Sequence, residues 1–263
     1  SLPHLSDQKQ QIMSLRFGLM DSENCQTQNN VPTCLYSKVV RWIVEKSKTE
    51  LAQQLYDVAI GLVESGRSDI AESTYQLALE LDPTDFQSIT NLAVILDKSG
   101  RLEEAEKLYL KASDFPFYDS FAMFNLGYLY ARTDRQELAE SWYRRALVAD
   151  PNYFEAMVNL AGLVQSLRGD QAEARKLLES ALLLNPRDTI AISELANIYR
   201  LEGEKFLAEM LYWKAVENEP SSPLANYNFA SFLVELGETE AANEFFDLAY
   251  SLDADGKLKN GSL

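Results

Sequence analysis

Residues 120–153 read SFAMFNLGYLYARTDRQELAESWYRRALVADPNY, and this stretch decides the fold. Two apolar stripes with helical spacing flank Asp134, which stands at a turn. The first stripe contains Met123, Leu126, Gly127 and Tyr130, and the second contains Leu138, Ala139, Trp142, Tyr143 and Ala146. Pro151 ends the second helix, because proline lacks a backbone amide and restricts the residue before it. The stretch therefore predicts a hairpin of two helices.

The same pattern of small residues returns at intervals of 34 or 35 residues along most of the chain. One position is held by Ala59, Ala93, Gly127, Ala161, Ala196 and Ala230. A second is held by Ala71, Ala105, Ala139, Ala174, Ala208 and Ala242, and a third by Ala78, Ala112, Ala146, Ala181, Ala215 and Ala249. Small residues allow helices to cross closely, so the period predicts stacked helical hairpins rather than one globular core.

Two further positions keep the same period. Large residues that we expect to fill the space between helices are Tyr75, Tyr109, Tyr143, Leu178, Tyr212 and Phe246. The hairpin turns carry Gly66, Gly100, Asp134, Gly169, Gly203 and Gly237. These residue types tolerate the left-handed backbone conformation that ends a helix, so we expect that conformation at each turn.

These residues resemble the tetratricopeptide repeat family, whose signature has Leu and Gly or Ala in the first helix, Ala–Phe/Tyr–Ala in the second, and Pro at the end. The match covers six units, at about 52–85, 86–119, 120–153, 154–188, 189–222 and 223–256. The resemblance implies an all-α, right-handed superhelical solenoid of six hairpins. The chain departs from the signature at its first position, which is usually Trp, by an insertion near Arg168, and by Ala254 in place of the last proline.

The chain before residue 49 does not follow the repeat. We expect residues 1–48 to form an N-terminal helical cap on the first repeat, with an oligomerisation or docking element as the alternative. One short helix is predicted from Ile12, Leu15, Leu19 and Met20, and another from Leu35, Val39, Trp42 and Ile43. Residues 49–256 are predicted to hold the six repeats, and residues 257–263 a polar tail.

Acidic residues dominate the chain, whose formal net charge is -16. Residues 1–48 hold six Lys and Arg against four Asp and Glu, whereas the rest holds 18 against 36. An acidic array repels nucleic-acid phosphates, so we expect no nucleic-acid partner. No apolar run reaches the roughly 18 residues of a membrane span, so we expect no membrane insertion. The charge favours a neutral or basic protein partner and leaves the oligomeric state open.

Cys25 and Cys34 are the only cysteines, and turn-forming residues lie between them. Their spacing is compatible with a disulfide, which would indicate a periplasmic or secretory-route protein. The alternative is two unpaired thiols in a cytoplasmic protein.

Catalysis has little support in the sequence. His4 is the only histidine, and no phosphate-binding loop or hydrolase motif is present. Two cysteines and a distant histidine do not have the usual zinc-ligand spacing. We therefore expect a protein without enzymatic activity, bound metal or cofactor.

The resemblance implies that first helices line a concave groove, so their inward positions are the candidate partner-binding site. One such position reads Asn91, Asn125, Asn159 and Asn228, similar to the asparagine ladder of O-linked N-acetylglucosamine transferases. Asparagine can donate to and accept from a peptide backbone. The alternative is a structural hydrogen bond inside each hairpin.

Apolar anchors and one cation complete the predicted site, which adds Phe121, Phe124, Tyr128, Val158, Tyr227 and Arg200. Exposed aromatic residues are frequent hot spots of protein interfaces. Chaperone adaptors of the family grip a C-terminal carboxylate with several Lys and Arg side chains, but the corresponding positions here are mostly apolar or acidic. The sequence therefore argues against chaperone tails as partners.

Three functions fit this sequence. The first is a non-enzymatic scaffold that binds a segment of a partner protein in the groove. The second is a periplasmic or secretory-route assembly factor that holds a larger complex or self-associates. The third is the targeting region of an enzyme whose catalytic domain lies outside this sequence.

Overall fold

The structure is a computed structural model that describes residues 27–28, 31–114, 120–253, 256 and 258, with side chains from residue 45 onward. Within these ranges the chain is helical apart from one pair of two-residue strands. Contacts divide it into two compact units, residues 1–88 and residues 89–263.

The N-terminal unit contains the strands β1 (Thr27–Gln28) and β2 (Val31–Pro32) and the helices α1 (Thr33–Glu64) and α2 (Ser68–Leu81). The strands pair antiparallel, with Thr27 opposite Pro32 and Gln28 opposite Val31. Helix α1 has 32 residues and runs without a break through the boundary that we drew between residues 48 and 49. The short helix predicted at residues 12–20 lies outside the described residues.

Ten further helices follow in five pairs. They are α3 (Phe86–Lys98), α4 (Leu102–Ser113), α5 (Ser120–Arg132), α6 (Gln136–Ala149), α7 (Phe154–Arg168), α8 (Gln171–Leu184), α9 (Thr189–Glu202), α10 (Lys205–Asn218), α11 (Pro223–Leu236) and α12 (Thr239–Leu252). In the C-terminal unit the members of each pair from α5/α6 onward pack against one another, and consecutive pairs pack in turn. This succession of helical hairpins confirms the predicted all-α solenoid class.

The periodic small residues form the centre of the packing. All twelve alanines at the two second-helix positions, from Ala71 to Ala249, have no exposed surface. In the last two hairpins, Ala208 and Ala215 pack with Ile192, Tyr212 and Phe229 in one apolar cluster. The alanines that recur with the repeat period therefore lie at the points where helices pack closely against one another.

The turns within the hairpins have the predicted left-handed backbone. The φ angle is positive at Gly66, Gly100, Gly169, Gly203 and Gly237, and Asp134 takes the same conformation at φ 59°. Helix α7 has 15 residues, against 13 in α5, so the residue inserted near Arg168 lengthens the first helix of its hairpin. The turn that follows keeps its left-handed residue, Gly169, and Asp170 accepts a hydrogen bond from the backbone N–H of Glu173 at the start of α8.

Asn226 explains one departure from the family signature. Its side chain is fully buried at the position that is usually Trp. Its Nδ2 donates to the carbonyl oxygens of Pro220, at 2.9 Å, and Ser222, at 2.8 Å. The amide thus ties the start of α11 to the preceding turn. Ala254 and most of the predicted polar tail lie outside the described residues.

Candidate functional site

A cavity of about 740 Å³ opens in the C-terminal unit between the first helices of neighbouring hairpins. Helix α7 contributes Val158, Asn159, Gly162 and Leu163, and helix α9 contributes Ile190, Glu194 and Leu201. Ala131 of α5 and Tyr143 of α6 also line the cavity. Most of its wall is apolar, and its charged side chain is Glu194.

Helical periodicity explains why these residues meet. Val158 and Gly162 lie one turn apart on α7, as do Asn159 and Leu163, and Ile190 and Glu194 lie one turn apart on α9. Gly162 adds to the open volume, because a Cβ built there would have no atom within 4 Å. Two neighbouring first helices thus present parallel rows of side chains to a shared space.

Tyr143, which lines the cavity, carries a buried hydroxyl group. The residue has no exposed surface, and its hydroxyl has no hydrogen-bond partner among the described residues. Burial raises the pKa of this phenol above its ordinary value of 10, so the hydroxyl stays protonated at neutral pH. The corresponding tyrosine two hairpins later, Tyr212, donates instead to Asn197 Oδ1 at 2.5 Å.

Glu194 is a half-buried carboxylate without a charge partner. Burial raises its pKa above the ordinary value, and it forms no ion pair within the described part of the chain. Four other shielded carboxylates of this unit bind an arginine. These pairs are Asp97 with Arg132, Glu106 with Arg135, Glu140 with Arg144 and Arg168, and Glu202 with Arg175. Glu194 differs from these four carboxylates because it has no arginine partner.

Two of the predicted asparagines, Asn125 and Asn159, each use a side-chain donor within their own helix. Nδ2 of Asn125 donates to the Phe121 carbonyl at 2.8 Å, and Nδ2 of Asn159 donates to the Glu155 carbonyl at 2.7 Å. Asn159 lines the cavity, where its Oδ1 can still accept a hydrogen bond. Asn91 and Asn228 are half-buried residues outside the cavity. Of the four asparagines, the structure brings Asn159 to this site.

The three predicted aromatic residues of α5 have different environments. Phe121 and Tyr128 are exposed, with 43% and 41% of their surfaces accessible. Phe124 is half-buried, and its ring centroid lies 5.6 Å from that of Tyr143 and 5.1 Å from that of Tyr153. Phe124 therefore packs between hairpins, whereas Phe121 and Tyr128 remain accessible to a partner.

The other predicted residues divide in the same way. Val158 lines the cavity. Arg200 donates to Glu235 Oε1 at 2.9 Å, and Tyr227 packs edge-on against Phe246 with ring centroids 5.3 Å apart. Sequence reasoning did not assign Tyr143 or Glu194 to the site. The sequence did contain a signal for Glu194, because this residue occupies the position that asparagine holds in four other hairpins.

Neither a metal cluster nor a membrane helix emerges from the described residues. They contain no group of three or more His, Cys, Asp and Glu side chains that could hold a metal ion. None of their helices is long and apolar enough to span a bilayer. Cys25 lies outside the described residues, and Cys34 is the second residue of α1.

Several solved structures are similar to this chain. A tetratricopeptide repeat protein from Parabacteroides merdae is 20% identical, with 80% of this chain and 87% of that chain covered and a TM-score of 0.63. Pseudomonas aeruginosa pilF is 20% identical, with 82% and 95% covered and a TM-score of 0.66. YrrB, described as a tetratricopeptide repeat protein with an unusual peptide-binding site, is 24% identical, with 72% and 98% covered and a TM-score of 0.56. At these identities the likeness shows a shared fold.

Sequence profiles agree with the structural comparison. A search of curated proteins finds no significant match to this chain. Three segments, residues 74–107, 118–154 and 224–255, match profiles described as tetratricopeptide repeat. The second and third segments fall on the hairpins α5/α6 and α11/α12. The chain therefore contains tetratricopeptide repeats at these three segments.

Proposed function

We propose that this protein is a non-enzymatic scaffold that binds a segment of a partner protein on its first-helix surface. By this name we mean the accessible side chains of α5, α7 and α9, among them Phe121, Tyr128, Val158 and Ile190. The observation that carries the proposal is the cavity of about 740 Å³, an apolar concavity to which all three helices contribute. Apolar concavities with a few polar groups are the usual form of binding sites.

Exposed apolar side chains around the cavity support this function. Ile190 lines it with 55% of its surface accessible, and Phe121 and Tyr128 supply aromatic groups on α5. Large apolar side chains that lose water on binding supply most of the affinity of an interface. We propose that these residues hold apolar side chains of the partner, while Asn159 Oδ1 accepts from its backbone.

The family supports the same class of function. Tetratricopeptide repeat proteins are in general protein-interaction scaffolds without catalytic activity, and YrrB has a peptide-binding site according to its description. The net charge of -16 favours a neutral or basic partner and disfavours nucleic acid. Arg200 already binds Glu235, which weakens any role in gripping a carboxylate tail.

A periplasmic or secretory-route assembly factor is the second candidate. It depends on the predicted Cys25–Cys34 bridge, because a disulfide would indicate an oxidising compartment. Cytoplasmic residence is the alternative if the thiols are free.

The scaffold function can be tested by affinity capture followed by titration. The purified chain is used as bait, captured proteins are identified by mass spectrometry, and their segments are titrated against two variants. Phe121→Ala removes an exposed phenylalanine of a first helix, and Phe206→Ala removes one from the second helix α10, where 76% of its surface is accessible. We expect Phe121→Ala alone to weaken binding, by about 2 kcal/mol or more for a hot-spot aromatic. Loss of affinity with Phe206→Ala alone would refute the proposal.

A further inference from the structure

We propose that the cavity between α7 and α9 is a subsite for a basic side chain of the partner, lysine or arginine. The charged head would pair with the Glu194 carboxylate, and the aliphatic stem would lie along Val158 and Ile190. This inference rests on the proposed function, because it specifies what the first-helix surface recognises.

Charge complementarity is the first argument. Glu194 is half-buried in the cavity wall and lacks the arginine that the comparable carboxylates Glu106, Glu140 and Glu202 possess. None of the side chains that line the cavity is basic. A shielded carboxylate without a partner is unfavourable, and a cation supplied by a ligand would offset that cost. A carboxylate ligand would be repelled.

The polar atoms beside Glu194 fit a donor-rich ligand. Asn159 lines the cavity, and while its Nδ2 donates to the Glu155 carbonyl its Oδ1 can accept a hydrogen bond. Lysine carries three N–H donors and arginine five, and neither carries an acceptor. Both side chains therefore match a site in which the Glu194 carboxylate and Asn159 Oδ1 accept hydrogen bonds.

The apolar wall suits the rest of such a side chain. Val158, Leu163, Ile190 and Leu201 surround the polar atoms. Lysine and arginine bury their methylene stems along apolar surface while their heads reach a polar group. A shorter polar side chain would leave this wall exposed to water, and a purely apolar one would leave Glu194 desolvated and unpaired. The combination therefore selects a long basic side chain.

The test uses synthetic nonapeptide pools in which the central residue is fixed as lysine, arginine, norleucine or glutamate and the other positions are randomised. Fluorescence polarisation measures their binding to the full chain, to Glu194→Gln and to the control Glu179→Gln, an exposed glutamate on α8. We expect the lysine and arginine pools to bind about tenfold more tightly than the norleucine pool, as for a partly buried charge pair. We expect Glu194→Gln, but not Glu179→Gln, to abolish that difference.

A charge-reversal variant distinguishes loss of the charge pair from a local packing defect. Glu194→Lys is expected to reverse the preference, so that the glutamate pool binds best. Equal binding of all pools, or a basic preference that survives in Glu194→Gln, would overturn the subsite but leave the scaffold function intact. If no pool binds, and captured partners are also insensitive to Phe121→Ala, the scaffold function fails and the subsite fails with it.

Discussion

The ring of Tyr143 lies against the backbone of Gly127, on the neighbouring helix α5. A Cβ placed at Gly127 would come within 2.8 Å of both Cδ1 and Cε1 of this ring, and within 3.3 Å of the Ala139 carbonyl oxygen. Five other hairpins carry alanine at the position of Gly127. Glycine here lets Tyr143 approach closely, and this contact fixes a side chain that lines the candidate site.

We predict that Gly127→Ala destabilises the protein. The added methyl group must displace the Tyr143 ring, and overpacking of this kind costs about 1–3 kcal/mol. Gly162→Ala is the matched control, because its Cβ would meet no atom within 4 Å. Replacing a helical glycine there should stabilise the protein by roughly 0.5–1 kcal/mol. Urea unfolding of both variants measures the difference, and equal effects would show that the ring is not held against Gly127.

The fold could be predicted from sequence because its determinants are local and periodic. Each alanine that recurs at the period of the repeat marks a helix crossing, and each glycine or Asp134 at a turn marks a left-handed residue. Both signals are carried by residue type alone. The sequence has no such signal at the predicted boundary between residues 48 and 49, because nothing in residues 33–64 interrupts helix α1.

The candidate site was less predictable because it depends on which side chains neighbouring hairpins leave uncovered. Phe121 and Phe124 have the same chemistry, yet the first is exposed and the second is packed against Tyr143 and Tyr153. Glu140 has the sequence pattern of a solvated helix residue, but it binds Arg144 and Arg168. Glu194 differs from Glu140 because no arginine pairs with it. Whether an arginine pairs with a given glutamate depends on how several helices pack, so the sequence alone does not show it.

We predict that Glu194→Gln raises the melting temperature of the free protein at neutral pH. Burial raises the pKa of this carboxyl in the folded state above its ordinary value of 4.5. The free energy of unfolding therefore falls as pH rises from the unfolded-state pKa of Glu194 to its higher folded-state pKa. The whole loss of stability is present above the folded-state pKa. Thermal unfolding at pH 7.5 and pH 4 should show a stabilising effect at the higher pH that disappears at the lower. A destabilising effect at pH 7.5 would mean that the charge is compensated.

We predict that Cys25 and Cys34 form a disulfide in the native protein. They are the only cysteines of the sequence, turn-forming residues lie between them, and a bridge that closes so short a loop contributes about 2–3 kcal/mol to stability. Intact-mass analysis after alkylation without reductant gives the answer. Two alkylated thiols in protein taken from its own compartment would rule out the bridge and remove the main support for a periplasmic or secretory location.

We predict that Asn159 acts through its Oδ1 acceptor. Asn159→Ala should weaken binding of a captured partner segment by about 0.5–1.5 kcal/mol, the usual contribution of one hydrogen bond. Asn159→Asp keeps an acceptor but replaces the donor to Glu155 with a second oxygen and a negative charge, so it should retain binding of a backbone amide. Calorimetric titration compares the two variants. Equal losses would indicate that the Nδ2 bond to Glu155, rather than contact with the partner, is what matters.

The most direct test of the account is the affinity of one captured partner segment for two matched variants. Ile190→Ser removes an apolar side chain from the first-helix surface, and Leu183→Ser removes one from α8, where it is 84% exposed. The account predicts a loss of about 1.5–3 kcal/mol for Ile190→Ser, the value of a fully buried aliphatic side chain, and no change for Leu183→Ser. Unchanged affinity with Ile190→Ser together with a clear loss with Leu183→Ser would place the partner on the second helices and contradict the account.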